Sequence, residues 1–304
     1  MIVADLGGTA ALRERLAGQG LRLRTGSFVT EIRSTLDRVA EGIALYYAQH
    51  PLEHDDAFVD FHVRVRKPPG LRHWIRPQVV FEFDGMAPFL PLAADQAYPM
   101  LEWGLNWCVH SNCHQYLVIH SAVLERGGRA LLLPAPAGSG KSTLCAALAC
   151  RGWRLLSDEL AILDVASGLV QPLARPVSLK NASIDVMRRF EPTAVIGTPV
   201  RDTLKGTVSY MRPPADAVQR AAEPALPTWI VMPRYIPAAP ARLEPLPKAR
   251  TFMRIADNAF NPTLHGRAGF EALAQLVDRA ACMEFSYGHL DEAMQVFDRL
   301  ADEA

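Results

Sequence analysis

The stretch Ala135-Pro-Ala-Gly-Ser-Gly-Lys-Ser-Thr143 constrains the fold of this chain more than any other. It follows an apolar run, Ala130-Leu-Leu-Leu133, and precedes Leu144-Cys-Ala-Ala-Leu-Ala149, which reads as helix. Strand, glycine-rich turn, Lys-Ser and helix is the order that a phosphate-cradling loop requires. Gly138 and Gly140 permit positive φ and let backbone N–H groups approach an anion. The following helix adds its N-terminal dipole and unpaired N–H groups. Lys141 is placed to reach β- and γ-phosphates, and the Ser142 hydroxyl to bind Mg²⁺. The candidate nucleotide contacts are therefore Ala137, Gly138, Ser139, Gly140, Lys141, Ser142 and Thr143, with ATP and Mg²⁺ as the expected ligands. One position departs from the pattern G-x-x-x-x-G-K-[ST], because Ala135 stands where the first glycine belongs. The competing interpretation is a plain Gly-Ser turn with a solvated first-turn lysine.

Gly152 reads as the left-handed cap that ends this helix. Trp153-Arg-Leu-Leu156 then reads as a buried strand that delivers Ser157-Asp158-Glu159. Asp158 falls 17 residues after Lys141, about one helix and one strand further on. A strand lying beside the loop strand would present that acidic pair next to the phosphates. Adjacent carboxylates there can hold Mg²⁺ or take a proton from an attacking hydroxyl. The bland alternative is a solvated acidic turn before Leu160-Ala-Ile-Leu163. The expected metal ligands are Ser142, Asp158 and Glu159.

A chain of 304 residues, 49% hydrophobic, can build one large core or two modest ones. Its 32 basic and 32 acidic residues balance, so neither nucleic acid nor a membrane surface is an expected partner. No apolar run approaches the ~20 residues that span a bilayer. The beginning of the sequence carries Asp5 and no basic leader, which points to the cytoplasm. The five cysteines, an odd number, suit reduced thiols. Cys108, His110, Cys113 and His114 invite a metal interpretation, but one helix cannot aim all four at one ion.

Residues 1 to about 20 read as a frayed helical lead-in, followed by strands at Leu21–Thr25 and Phe28–Arg33 and a helix at Leu36–Tyr47. Two alternating runs, 58–65 and 79–83, suggest an antiparallel sheet with one wet face. Lys67-Pro-Pro-Gly70 and Asp84-Gly85 are turn signals. A helix over 95–114 leads into Tyr116–Leu124, a turn at Arg126-Gly-Gly128, and the return strand Ala130–Leu133. An antiparallel hairpin thus feeds the loop, unlike the mostly parallel sheets of common nucleotide-binding folds. Further on, a short helix at Ile184–Phe190, strands at Gly206–Tyr210 and Thr228–Met232, and a mostly helical 248–302 with a strand at Cys282–Ser286 are expected. The expected organisation is an N-terminal α+β region, 1–95, and a P-loop domain, 96–304.

The block His120…Gly138-Ser-Gly-Lys-Ser142…Gly152-Trp-Arg-Leu-Leu-Ser-Asp158-Glu159 resembles the catalytic domain of HPr kinase/phosphorylase. Arg175-Pro-Val-Ser-Leu-Lys-Asn181, Asp202-Thr-Leu-Lys-Gly206 and Asp257-Asn-Ala-Phe-Asn261 resemble the bacterial HPr kinase-related kinases (the HprK-related kinase A group), over nearly the whole chain. The resemblance implies a mixed, β-rich α/β fold of the HPr kinase and phosphoenolpyruvate carboxykinase type. It also implies an ATP-dependent serine kinase, a phosphotransferase acting on a serine of a protein or peptide. Family members form oligomers, which raises the question of a homo-oligomer here. Asp158 matches the first Asp of the family's Asp-Asp pair and would be the general base, with Glu159 in place of the second. His120 matches the family's histidine, although a lone histidine on an apolar strand is also a normal core residue. Lys205 aligns with a family arginine that neutralises phosphate charge, or is a solvated loop lysine. Arg175 and Lys180 invite the same two interpretations.

Three departures stand out. Thr143 replaces the glutamate that follows Lys-Ser in the family, Ser121 replaces the glycine after the histidine, and residues 1–90 match no regulatory domain of the family. Together they suggest an acceptor other than HPr itself. A kinase for a small hydroxylated molecule and a non-catalytic nucleotide sensor remain the alternative expectations.

Overall fold

The computed structural model describes residues 1–69, 77–136 and 138–303. Gly70 of the expected Lys67–Gly70 turn and Ala137 of the loop lie outside the described residues. The protein is a mixed α/β molecule with three sheets.

The first sheet has the order β1-β2-β3-β4-β5, from Leu21–Thr25 (β1), Phe28–Ser34 (β2), Phe61–Arg66 (β3), Gln78–Phe83 (β4) and Leu92–Ala93 (β5). The alternating pattern of β3 has its expected consequence: Phe61, Val63 and Val65 are buried while His62 and Arg64 face water. The two alternating runs pair antiparallel as expected, β3 with β4, while β2 joins β3 in parallel. A parallel pair needs a crossover, and the helix α2 (Asp37–Tyr46) supplies it. The expected frayed lead-in is corrected. Thr9–Ala17 forms α1, which buries Leu12 and Leu16 against the first core. Helix α3 (Ala97–Asn112) packs into that same core through Leu101, Leu105 and Cys108. Its Gly104 lies where a Cβ would come within 2.1 Å of the Phe81 ring, so the close helix–sheet approach explains a glycine in mid-helix.

The central sheet has eight strands, ordered β10-β9-β6-β7-β14-β16-β15 with β8 also paired to β6. Its long strand β6 (Tyr116–Arg126) forms the expected hairpin with β7 (Arg129–Pro134) through Gly127 and Gly128, both at positive φ. On its other edge β6 pairs β9 (Leu160–Asp164) along its first half and β8 (Arg154–Ser157) along its second. Beyond β7 the sheet turns parallel, through β14 (Leu226–Tyr235) and β16 (Ala281–Tyr287), and ends in antiparallel β15 (Arg242–Pro245). The remaining edge strand is β10 (Val170–Gln171).

Alternation along β7 sends Leu131 and Leu133 into one core and Leu132 into another. The first of these holds α4 (Lys141–Ala149), α5 (Ala182–Phe190) and α9 (Leu290–Asp302), with Trp153, Trp229 and Phe285 at its centre. The second is covered by α7 (Lys248–Asn258) and α8 (Gly266–Arg279) through Ile255, Leu273 and Leu276. The N-terminal core reaches the central sheet through Val118, Leu160 and Ile162. A small third sheet, β11 (Val177–Lys180), β13 (Gly206–Met211) and β12 (Val200–Thr203), stands beside it, followed by α6 (Ala215–Gln219). No helix among the described residues is long and apolar enough to cross a membrane.

Candidate active site

The site forms where β7 passes into α4. Gly138 (φ 84°) and Gly140 (φ 87°) both take the left-handed conformation that their identity allows. Gly140 is also crowded, since a Cβ there would meet the Tyr287 hydroxyl at 2.4 Å. Helix α4 begins at Lys141 with no side chain capping its N-terminus, so its first N–H groups stay available to a ligand. Ser142 and Thr143 lie half-buried on the first turn. The Ser139 hydroxyl oxygen is buried without a partner among the described residues. At the far end the Trp153 N–H donates to Leu148 O (3.1 Å) with Gly152 at φ 89°, the left-handed cap expected from the sequence.

Lys141 is buried, and its Nζ donates to Nε2 of His120 at 3.0 Å. An imidazole nitrogen that accepts from an ammonium carries no proton, so the His120 proton sits on Nδ1. That atom lies 3.5 Å from a Glu159 carboxylate oxygen. Burial, reinforced by the Lys141 charge, pushes the His120 pKa down to about 4, which keeps the ring neutral. Lys141 is itself held below the usual lysine range by burial, partly offset by the charges of Glu159 and Asp158.

Asp158 is buried at the turn between β8 and β9. Its Oδ2 accepts from the Ser178 N–H at 3.0 Å, while Oδ1 is buried with no hydrogen-bond partner among the described residues. Burial, then the Glu159 charge, pushes its pKa up to about 6. Glu159 goes the other way. Burial would raise it, but Lys141, Lys180, His120 and Lys205 together hold it below the usual range. The two adjacent carboxyls are thus driven apart, as acid–base sites require.

The strand neighbour of Asp158 differs from the expectation. β8 pairs with β6 and not with the loop strand, so β6 lies between them and contributes His120. The acidic pair still reaches Lys141, because α4 projects over β6. Lys180, at the end of β11, places Nζ 3.6 Å from Glu159 and so joins the cluster. The following residue, Asn181, sits at φ 52° with its side-chain oxygen accepting from the Thr207 N–H. Lys205 holds its ammonium 5.3 Å from the centre of the Trp103 ring, and its charge acts on Glu159.

Arg175 is neither a surface charge nor a phosphate ligand. It is buried against Glu102 (2.7 Å), Asn106 (2.9 Å) and the Tyr47 hydroxyl (3.2 Å), inside the N-terminal core. Cys108, His110, Cys113 and His114 do not converge, since no three metal-binding side chains cluster among the described residues. Cys108 and Cys113 are buried with thiols pushed up to about 12, and His110 stacks on Phe260 at 4.5 Å.

The side chains present suit Mg²⁺ arriving with a nucleotide. Mg²⁺ in phosphate sites takes one or two carboxylates and keeps waters. The half-buried Ser142 hydroxyl on the first turn of α4 would be the protein donor, with waters and phosphate oxygens completing the shell, and Asp158 Oδ1 is left to act as a base. Glu159 is turned toward the Lys180 ammonium and the neutral His120 ring, which makes it a counter-charge for a cation of the protein itself.

No protein-family model matches the chain, and no curated protein matches it. Among solved structures it is similar to the Hpr(Ser) kinase/phosphatase from Coxiella burnetii, at 15% identity and a TM-score of 0.26. The match covers 62% of this chain and 99% of that one. At so low a TM-score the likeness carries no argument about fold, activity or substrate.

Proposed function

We propose that this protein is an ATP-dependent phosphotransferase that moves a γ-phosphate to an acceptor hydroxyl, that of a serine of a protein or peptide. The observation that carries this reading is Asp158. It is a buried carboxyl with one unpartnered oxygen and a pKa pushed up to about 6, beside the lysine of a glycine-rich loop. Burying such a group without a partner costs stability, and a ligand would repay that cost.

Backbone N–H groups of the loop and the first turn of α4 bind the phosphates. Lys141 follows the charge of the β- and γ-phosphates, and neutral His120 accepts from its ammonium and so orients it. Asp158 Oδ1 accepts the proton of the acceptor hydroxyl as that oxygen attacks phosphorus; the γ-phosphate bond to the nucleoside diphosphate breaks in the same displacement. Lys180 and Lys205 add positive charge around the transferring group, and Glu159 balances them. Mg²⁺ supplies neutralisation of the phosphate charge when it is bound with the nucleotide. The serine acceptor and ATP itself rest on the resemblance to HPr kinase in the motif residues.

Incubation of the full chain with γ-labelled ATP, Mg²⁺ and cell extract tests this. A labelled species that is absent with Lys141→Ala is expected. ATP binding with no label transferred to any protein or metabolite would favour a nucleotide sensor.

A further inference from the structure

The reacting side chains lie on one side of the phosphate loop. His120 is on β6, Asp158 and Glu159 follow β8, and Lys180 ends β11. The loop strand β7 has β6 on that edge and β14 on the other, with β16 beyond. Strands β7, β14 and β16 are mutually parallel, so their carboxyl ends open on one rim of the sheet. Ligands of such sheets lie across the carboxyl ends. A nucleotide with its γ-phosphate facing Asp158 therefore extends its base toward β14 and β16.

At that rim β14 ends in Tyr235 and β16 in Tyr287, which are register partners. Both are tied to the loop. The Tyr235 N–H donates to Ser139 O at 2.8 Å, and the Tyr287 hydroxyl donates to Gly140 O at 2.9 Å. The two rings meet edge to face, with centroids 5.7 Å apart and planes at 66°. Tyr287 is 1% exposed, whereas Tyr235 is 48% exposed. One ring is thus fixed beneath the loop, and the other is braced against it with a face left to solvent.

We propose that Tyr235 is the platform on which the base of the bound nucleotide stacks, with Tyr287 fixing its distance from the phosphates. This rests on the phosphate-loop reading above and adds the subsite that recognises the base. A stack of this kind is tolerant of base identity, because every base has a π-face.

The test is calorimetric binding of ATP and of inorganic tripolyphosphate, each with Mg²⁺, to the full chain and to Tyr235→Ala and Tyr235→Phe. Loss of a base–aromatic stack weakens binding roughly 5- to 150-fold. Tyr235→Ala is expected to lose that factor for ATP and to hold tripolyphosphate at the wild-type affinity, and Tyr235→Phe to retain both. Unchanged ATP binding by Tyr235→Ala, or equal loss of both ligands, would overturn the platform. Failure of the wild-type chain to bind either ligand would instead overturn the phosphate-loop reading, and the platform with it.

Discussion

Arg175 and Lys141 are both buried cations, and their surroundings treat them in opposite ways. Arg175 donates to the Glu102 carboxylate and carbonyl, to Asn106 and to the Tyr47 hydroxyl, which in turn donates to Glu102 at 2.8 Å. Burial would lower its pKa, yet these partners raise it above the usual arginine range. Lys141 meets a neutral imidazole, and nearby Asp158 keeps an oxygen with no partner. A buried charge is costly unless it is paired and hydrogen-bonded. The first cluster meets that condition within the protein and pins Tyr47 of the N-terminal region and α3 to the segment that leads into β11. The second leaves it unmet, which suits a site completed by a ligand. The two are joined, because β11 carries both the Ser178 N–H that orients Asp158 and Lys180.

The comparison breaks most visibly at Asp158. Asp158→Asn is expected to lower turnover by up to about 10⁴-fold, the upper range for a general base. Nucleotide binding should survive, and resistance to urea should stay level or rise, because a buried unpaired carboxyl has gone. Steady-state kinetics with calorimetry and urea unfolding would check all three, and full turnover would remove Asp158 from the base role.

Arg175→Met should behave in reverse. It leaves the Glu102 charge buried without its cation, held by the Tyr47 hydroxyl, at a cost of about 3–5 kcal/mol in urea unfolding. The double variant Arg175→Met/Glu102→Gln should recover part of that loss. A single-variant cost under about 1 kcal/mol would mean that the cluster is not the structural clamp described here.

His50 sharpens the comparison through pH. Its ring stacks edge to face on Tyr47, and its Nε2 donates to Ala174 O at 2.8 Å, one residue before Arg175. Burial pushes its pKa down from 6.5 to about 4. The unfolded chain therefore takes up a proton near pH 6.5, whereas the folded chain resists until about pH 4. His50 alone lowers stability by roughly 3 kcal/mol as pH drops through that window; His120, also pushed down to about 4, adds to the fall, and Asp158, pushed up to about 6, opposes it. His50→Gln should flatten this part of the stability profile, and an unchanged slope would assign it to other groups.

Much of the candidate site is local in sequence and was legible there. Gly138, Gly140, Lys141 and Ser142 form one turn, Gly152 caps the helix that follows, and Asp158-Glu159 sits at the next strand end. The hairpin before the loop showed itself through Arg126-Gly-Gly128, because a two-residue turn at positive φ favours glycine. Lys180 was singled out only through the family resemblance, and Arg175 and Tyr235 were not legible as clamp and platform. Each is one of many residues of its type, and only its distant neighbours distinguish it. No spacing rule connects them to Lys141.

By itself, the sequence determined the elements and their polarity: apolar alternation, glycine at turns that need positive φ, and a Lys-Ser at a helix start. These depend on forces between residues a few positions apart. Tertiary structure alone decided that β8 pairs with β6, that β2 and β3 run parallel, and which buried cation is satisfied. Those outcomes depend on which surfaces meet when the cores close, and burial then shifts the proton affinities of His120, Asp158 and Lys141. A carboxyl in a turn is an ordinary acid until neighbouring elements remove its water.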